Sequence, residues 1–304
     1  MKVALLVKKS QVELAGDKPG DRLHQLLAEG DPTVAHVVAS HEEHMGTVAE
    51  VKAALQAAGV EVTRIRKRRR PFDARSYDLV VTVGGDGTLL AASHSVGTTP
   101  VLGVNSAPST SMGFFCGARK GSAEGAIHDA LAGRLKATSL TRMQVTVNGE
   151  KVYGRVLNDC LFCHLVPAST SRYILEYQER VEEQTSSGFW VGPAAGSTAA
   201  QRSAGGKVLP LSSKQLQLVV REAYRPFDEK QHMTRVVAAD GTTIVARSKT
   251  RNMRLYVDGP DRVAKISLGD VIEFTQGPEP LRLLGISARR RSWGRDRNGN
   301  KTTS

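Results

Sequence analysis

A single carboxylate, Asp86, stands among Gly84, Gly85 and Gly87 in the stretch VGGDGTLL, residues 83–90. Glycine lacks a Cβ, so such a turn lets its N–H groups approach a ligand closely. The segment before it reads as a strand of a parallel sheet, and a helix is expected to open at Thr88. The crevice at the strand end and the helix N-terminus both favour a phosphate there. An acid inside a phosphate nest is electrostatically unfavourable unless it serves a reaction. It can take a proton from an attacking hydroxyl, or help to hold Mg²⁺ on a nucleotide. A plain Gly-Asp-Gly turn is the competing reading. Two other clusters carry less. His41-Glu42-Glu43-His44 spaces its histidines three apart rather than the four of a zinc-binding helix, and reads as a solvated helix start. Cys160-Leu161-Phe162-Cys163 is one C-x-x-C without a second pair, and reads as buried thiols in a strand. No metal-ligand set is assigned.

The elements that must position Asp86 alternate in the βαβ manner of a parallel sheet. KVALLV reads as a strand, EEHMGTVAEVKAALQAAG as a helix stopped at Gly59, and VEVTRI and SYDLVVTV as strands. TLLAASHSVG then begins a helix, and TPVLGVN is another strand. Residues 1–138 are therefore expected to form a Rossmann-like, doubly wound α/β domain. Past Ser139 the texture changes to strands joined by turn dipeptides, Asn148-Gly149, Asp240-Gly241 and Asp258-Gly259. RYILEYQERV, KQLQLVVRE and DVIEFTQG add strands, so residues 139–284 read as an all-β sandwich. Residues 285–304 form a basic tail whose early part is expected to pack back on the first domain while its extreme end is disordered.

Composition bounds the partners. The chain has 304 residues, 40% of them hydrophobic, which suits two globular domains. No apolar run approaches the roughly 18 residues of a membrane span, and three scattered cysteines suit a reducing, cytoplasmic setting. The formal charge of +12 favours anionic partners, yet much of it lies in two runs, Arg64–Arg70 and Ala288–Arg297. Only 5% of residues are aromatic, which argues against a stacking platform and, with it, against nucleic acid as the main partner.

VGGDGTLLAAS resembles the GGDGT motif of the NAD kinase family, which diacylglycerol and sphingosine kinases share and phosphofructokinases share loosely. Leu89, Leu90, Ala91 and Ala92 look like the NAD kinase helix, where lipid kinases usually carry an Asn-Glu pair. Further matches follow in the family's order: PVLGVN ending at Asn105, LND at Leu157–Asp159, GSTA at Gly196–Ala199, SAGG at Ser203–Gly206 and YVDG ending at Gly259. The basic stretch RIRKRRRPFD, the long loop SAPSTSMGFFC and Ser186-Ser187-Gly188 are similar to the mitochondrial-type branch.

The resemblance implies an NAD kinase fold and an ATP-dependent kinase that phosphorylates the 2′-hydroxyl of the adenosine ribose of NAD, with Mg²⁺ arriving on ATP. Asp86 matches the family's base, and Gly84, Gly85, Gly87 and Thr88 its phosphate turn. Asp86 and Gly87 also adjoin NAD, where Asn158 and Asp159 match the pair that holds ribose hydroxyls. Ser187, Thr198, Ala200, Ser203 and Asp258 match further positions of the NAD site, and a homodimer or homotetramer is implied. Three departures bear on the dinucleotide: Ser187 stands where bacterial relatives have an acid, Ala200 where a tyrosine is common, and Pro260 where glutamine is common. The alternatives are a kinase for another hydroxyl, such as a lipid's, and a non-catalytic nucleotide- or nucleic-acid-binding relative.

Overall fold

The computed structural model describes residues 1–18, 20–65, 71–224 and 233–289. Most of the basic run 64–70 and nearly all of the run 288–297, with the chain's last residues, lie outside these. The chain divides into two compact units, one of Met1–Thr138 with Arg282–Ser287, the other mainly Ser139–Leu281.

The first unit is built on a seven-stranded sheet. Its strands are β1 (Lys2–Val7), β2 (Glu61–Arg64), β3 (Leu79–Gly84), β4 (Val101–Asn105) and the short β5 (Ala118–Arg119), with β6 (Ala137–Leu140) and the late β19 (Leu281–Leu284) at the unit's boundaries. The order is β2-β1-β3-β4-β19-β6, with β5 also on β4. β1, β2, β3, β4, β5 and β19 pair in parallel. β3 and β4 are buried at every residue, the mark of strands covered on both faces, which is why LVVTV and VLGV read as unbroken apolar runs. Helices α1 (Gln11–Gly16), α2 (Arg22–Glu29), α3 (Ala35–Ala57), α4 (Asp86–Ser93) and α5 (Ala123–Leu131) complete the unit. Val48, Val51 and Leu55 of α3 and Ile127 of α5 pack with Val3, Leu5, Val81 and Val104 in one core.

Two expectations are corrected here. α3 begins at Ala35, after Asp31 caps the Pro32 turn by accepting from the Thr33 amide at 2.8 Å, so the His41–His44 run lies inside the helix rather than at its start. His44 is buried, not solvated. α4 opens at Asp86, not Thr88, which puts the acid in the helix's first turn.

The second unit is two six-stranded antiparallel sheets. One runs β11-β10-β15-β18-β7-β8 and the other β14-β13-β12-β9-β16-β17. In chain order the strands are β7 (Met143–Val147), β8 (Glu150–Val156), β9 (Cys160–His164), β10 (Ser171–Tyr177), β11 (Arg180–Ser186), β12 (Phe189–Pro193), β13 (Leu216–Val220), β14 (Arg235–Ala238), β15 (Ile244–Ser248), β16 (Met253–Val257), β17 (Val263–Ile266) and β18 (Val271–Gln276). A short helix, α6 (Ala200–Ser203), follows a 3₁₀ turn at Ala194–Thr198. Inward residues of both sheets share one core that includes Phe162, Tyr173, Phe189 and Phe274, so the sheets pack face to face as a sandwich.

Asn148 and Gly149 both take positive φ and close the β7–β8 hairpin as the sequence indicates. Asp240-Gly241 instead joins β14 to β15, which lie in different sheets, because a turn dipeptide reverses the chain without choosing its partner. RYILEYQERV holds two strands, β10 and β11, that turn at Gln178 with φ 55. A left-handed glutamine gives no turn signal. The strand Leu281–Leu284, which falls inside the range expected for the sandwich, lies in the parallel sheet, pairing Leu283 with Val101.

Candidate functional site

In the first unit the Gly84–Thr88 turn joins β3 to α4. A Cβ on Gly84 would stand 2.2 Å from Thr88 Oγ1 and 2.9 Å from its Cβ, so that position needs glycine, while one on Gly85 would stand 2.5 Å from Ser111 Oγ, which would have to turn away. A Cβ on Gly87 would meet open space. Thr88 is buried and its amide donates to the Gly85 carbonyl at 3.0 Å, so this residue braces the turn from beneath. No side chain caps α4, which leaves the amides of Asp86 and Gly87 directed at an anion or solvent.

Asp86 is held by the loop that follows β4. The Phe114 amide donates to Oδ2 at 2.9 Å and the Phe115 amide to Oδ1 at 2.7 Å. That loop is itself pinned: Asn105 Nδ2 donates to the Ser111 carbonyl at 2.8 Å, and Gly113, at φ 60, leaves no room for a Cβ against Asn105. The carboxylate therefore has fixed orientation, with two of its roughly four lone-pair sites taken. Among the described residues no group of three or more His, Cys, Asp or Glu is arranged to hold a metal ion. Mg²⁺ does not need such a cage, since it commonly binds one carboxylate with phosphates and keeps its waters, and Asp86 in the glycine turn fits that mode.

In the second unit Leu157–Asp159 link β8 to β9, and the carboxylate of Asp258 organises them. Its oxygens accept from the amides of Leu157 at 3.0 Å, Asn158 at 2.7 Å and Asp159 at 3.2 Å, while the Asp258 amide donates to the Asp159 carbonyl at 2.9 Å. The Asp258-Gly259 pair begins the β16–β17 connection, with φ 47 and 111. A hairpin turn alone does not account for it, and the carboxylate's second task was invisible in the dipeptide. Asn158 Nδ2 donates to Asp159 Oδ2 at 2.8 Å. Asp159 is buried, and burial first, then the nearby Asp258 charge, pushes its carboxyl up to about 7. Near neutrality it can both donate and accept, as recognition of a diol requires.

Asp159 and Ser187 line one cavity of about 530 Å³ with Leu161, Trp190, Arg221 and Tyr256, and Gly259 and Pro260 border it. The Arg221 guanidinium lies over the Trp190 ring at 6.0 Å. Leu161, Trp190 and Tyr256 are outward residues of β9, β12 and β16, alternating with the core-facing Phe162, Phe189 and Leu255. Sequence reading missed them, although apolar residues on both faces of WVG and CLFC were the available signal. Thr198 and Ala200 are half-buried on the adjoining turn and short helix, and Ser203 is exposed. None of the three is a wall of this cavity. Ser197 beside them is buried, its hydroxyl 2.6 Å from the Ala194 carbonyl and 2.9 Å from the Leu209 amide.

The first unit thus holds a glycine turn with an oriented carboxylate at a helix start, and the second a cavity rimmed by a buried acid. The sequence profile of the ATP-NAD kinase N-terminal domain matches residues 4–135. A probable NADH kinase of Oryza sativa subsp. japonica is 32% identical over 263 residues, 79% of this chain and 81% of its own length. An NADH kinase of Arabidopsis thaliana is 32% identical over 89% of this chain and 95% of its own length. The fold is shared with the crystal structure of an NAD kinase from Archaeoglobus fulgidus in complex with ATP, at TM-score 0.68 and 19% identity, covering 93% of each chain. It is also shared with yeast NADH kinase complexed with NADH, at TM-score 0.70 and 15% identity over 94% of this chain and 84% of that one. The chain belongs to the ATP-NAD kinase family.

Proposed function

We propose that Asp86 is the base of an ATP-dependent NAD kinase that makes NADP, a reading carried by the fixed orientation of its carboxylate in the phosphate turn. The 2′-hydroxyl of the adenosine ribose gives its proton to a remaining Asp86 lone pair as its oxygen bonds the γ-phosphorus. The bond from that phosphorus to the β-phosphate oxygen breaks, so ATP and NAD become ADP, NADP and a proton. The turn amides take phosphate oxygens, and Gly84 and Gly85 allow the close approach. Asp86 and the nucleotide phosphates would hold Mg²⁺, which would supply charge neutralisation on the phosphoryl group.

On this reading residues 1–138 carry the donor turn and residues 139–284 the acceptor cavity, with residues 285–304 as a tail. Asn158 and Asp159 take the ribose hydroxyls and Ser187 lies at the cavity wall. Thr198, Ala200 and Ser203 border the dinucleotide, while Asp258 acts by holding the Leu157–Asp159 loop. No described helix is long and apolar enough to cross a membrane, and we read the enzyme as a cytoplasmic homodimer or homotetramer. The plant relatives named NADH kinase make the reduced dinucleotide a second acceptor to test.

Incubation with ATP and Mg²⁺ and either NAD⁺, NADH or diacylglycerol separates the readings, with product identified by chromatography. NADP or NADPH is the expected product, and Asp86→Asn lowers its rate by about 10²–10⁴-fold. Phosphorylation of the lipid alone, or a wild-type rate in Asp86→Asn, would overturn the assignment.

A further inference from the structure

The His41–His44 run is absorbed by no part of the reaction above, yet it faces the ends of β1 and β4 in the first unit. The His44 Nε2 lies 2.9 Å from the Lys8 carbonyl and its Nδ1 2.8 Å from Ser106 Oγ. A carbonyl only accepts, so Nε2 carries the proton and the Ser106 hydroxyl donates to Nδ1 of a neutral ring. The Ser106 amide in turn donates to the Gly84 carbonyl at 3.1 Å. This chain of bonds ties α3, β1 and β4 to the phosphate turn.

Beside it lies a cavity of about 220 Å³, bordered by Lys8, Ser10, His36, Ser40, His41 and Thr110. Lys8 is half-buried, its amide donates to the Val83 carbonyl at 2.9 Å, and its Cβ is 3.1 Å from where a Cβ on Gly84 would stand. Its stem thus borders the phosphate turn. No described carboxylate pairs with its ammonium, whereas the neighbouring Lys9 pairs with Asp17 at 2.5 Å. His41 uses Nδ1 on Ser10 Oγ at 2.8 Å and leaves Nε2 without a hydrogen bond among the described residues. The hydroxyls of Ser40 and Thr110 are 3.1 Å apart, and the Thr110 hydroxyl also lies 3.3 Å from the Ala107 carbonyl. The nearest carboxylates are committed elsewhere: Glu13 accepts from the Ser10 amide at 2.8 Å, and Glu43 accepts from the Ser109 hydroxyl at 2.6 Å and lies 3.8 Å from Lys120. Pockets for drug-sized ligands run to roughly 300–1,000 Å³, so this one suits a compact inorganic group.

We propose that this cavity is a second anion site, taking a phosphate-class oxyanion with Lys8 as counter-charge and His41 Nε2 and the Ser40 and Thr110 hydroxyls as hydrogen-bond partners. The proposal rests on reading Gly84–Thr88 as the phosphate turn. Its ligand is either the polyphosphate end of the donor or free pyrophosphate.

Calorimetric titration of the full chain with inorganic pyrophosphate tests it. Lys8→Met is expected to weaken binding about tenfold, and His41→Gln and Thr110→Val about threefold each. Titration of each variant with NAD⁺ is expected to give wild-type affinity. Asp86→Asn is expected to bind pyrophosphate as wild type does, so failure of the kinase reading and failure of this site are read separately. Competitive inhibition by pyrophosphate against ATP would identify the donor's own chain as the ligand, and non-competitive inhibition the free anion. Two results overturn the site. One is wild-type pyrophosphate affinity in Lys8→Met. The other is wild-type affinity in both His41→Gln and Thr110→Val, which would leave the anion on the glycine turn alone. Either cavity variant decides the matter if Lys8→Met does not fold.

Discussion

Replacing Gly196 with alanine asks whether close backbone approach sets the shape of the Leu157–Asp159 loop. A Cβ there would stand 1.6 Å from the Asn158 carbonyl oxygen and 2.5 Å from its carbon. Contacts under 3.0 Å are essentially never seen, so the carbonyl or the 3₁₀ turn has to retreat by roughly 1.4 Å. Neither yields easily. Three amides of the loop are held by Asp258, and Gly192 approaches the same carbonyl, where its own Cβ would stand 2.4 Å away. Overpacking of this kind costs about 1–3 kcal/mol, a Tm loss of roughly 2–5 °C for a protein of this size. A misplacement near 1 Å costs about 10²-fold in rate. The expected result is a kcat/KM for NAD about a hundredfold lower, with the KM for ATP within about twofold of wild type. NADP formation at varied NAD and varied ATP measures the first, and a thermal melt the second. Gly46→Ala, where a Cβ in the middle of α3 meets open space, is the control and is expected to gain about 0.5–1 kcal/mol with unchanged kinetics. Wild-type NAD kinetics and Tm in Gly196→Ala would refute the argument that this contact positions the loop.

Asp159 gives a pH signature. Its carboxyl, ordinarily near 3.8, sits at about 7 when folded, so the folded state holds the proton more tightly and stability falls as pH rises between those values. The Tm of Asp159→Asn minus that of wild type is expected to increase from pH 4 to pH 7, and a difference flat across that range would contradict it. Asp258→Ala leaves three loop amides without their acceptor and is expected to cost about 3 kcal/mol in urea unfolding. A loss under about 0.5 kcal/mol would show that water replaces the carboxylate there.

The architecture was legible wherever the chain uses strong local signals. LVVTVGG announced a buried parallel strand ending in a glycine turn, and Asn148-Gly149 announced its hairpin. The misses have one cause, since they depend on partners distant in sequence. Gln178 turns without a turn residue because the flanking strands dictate the register. The start of α3 was missed although Asp31-Pro32 is a start signal, because the apolar period is clearest only after Glu42. For the site, Asp86 was readable from its glycines, while the amides of Phe114 and Phe115 that fix it were not, since nothing in MGFFC marks backbone donors. Trp190 and Tyr256 escaped notice because strands buried on one face and cavity-lined on the other read simply as apolar.

The position of Leu281–Leu284 beside β4 has a consequence for synthesis. The ribosome delivers the turn bearing Asp86 early, but the strand that continues its sheet emerges only after every strand of the sandwich. Until then the stretch of β4 near Val101, which β5 does not pair, carries open backbone groups, the template on which unwanted strand pairing begins. The Gly84–Thr88 turn is thus among the first segments made, while the sheet beneath it is among the last structures finished.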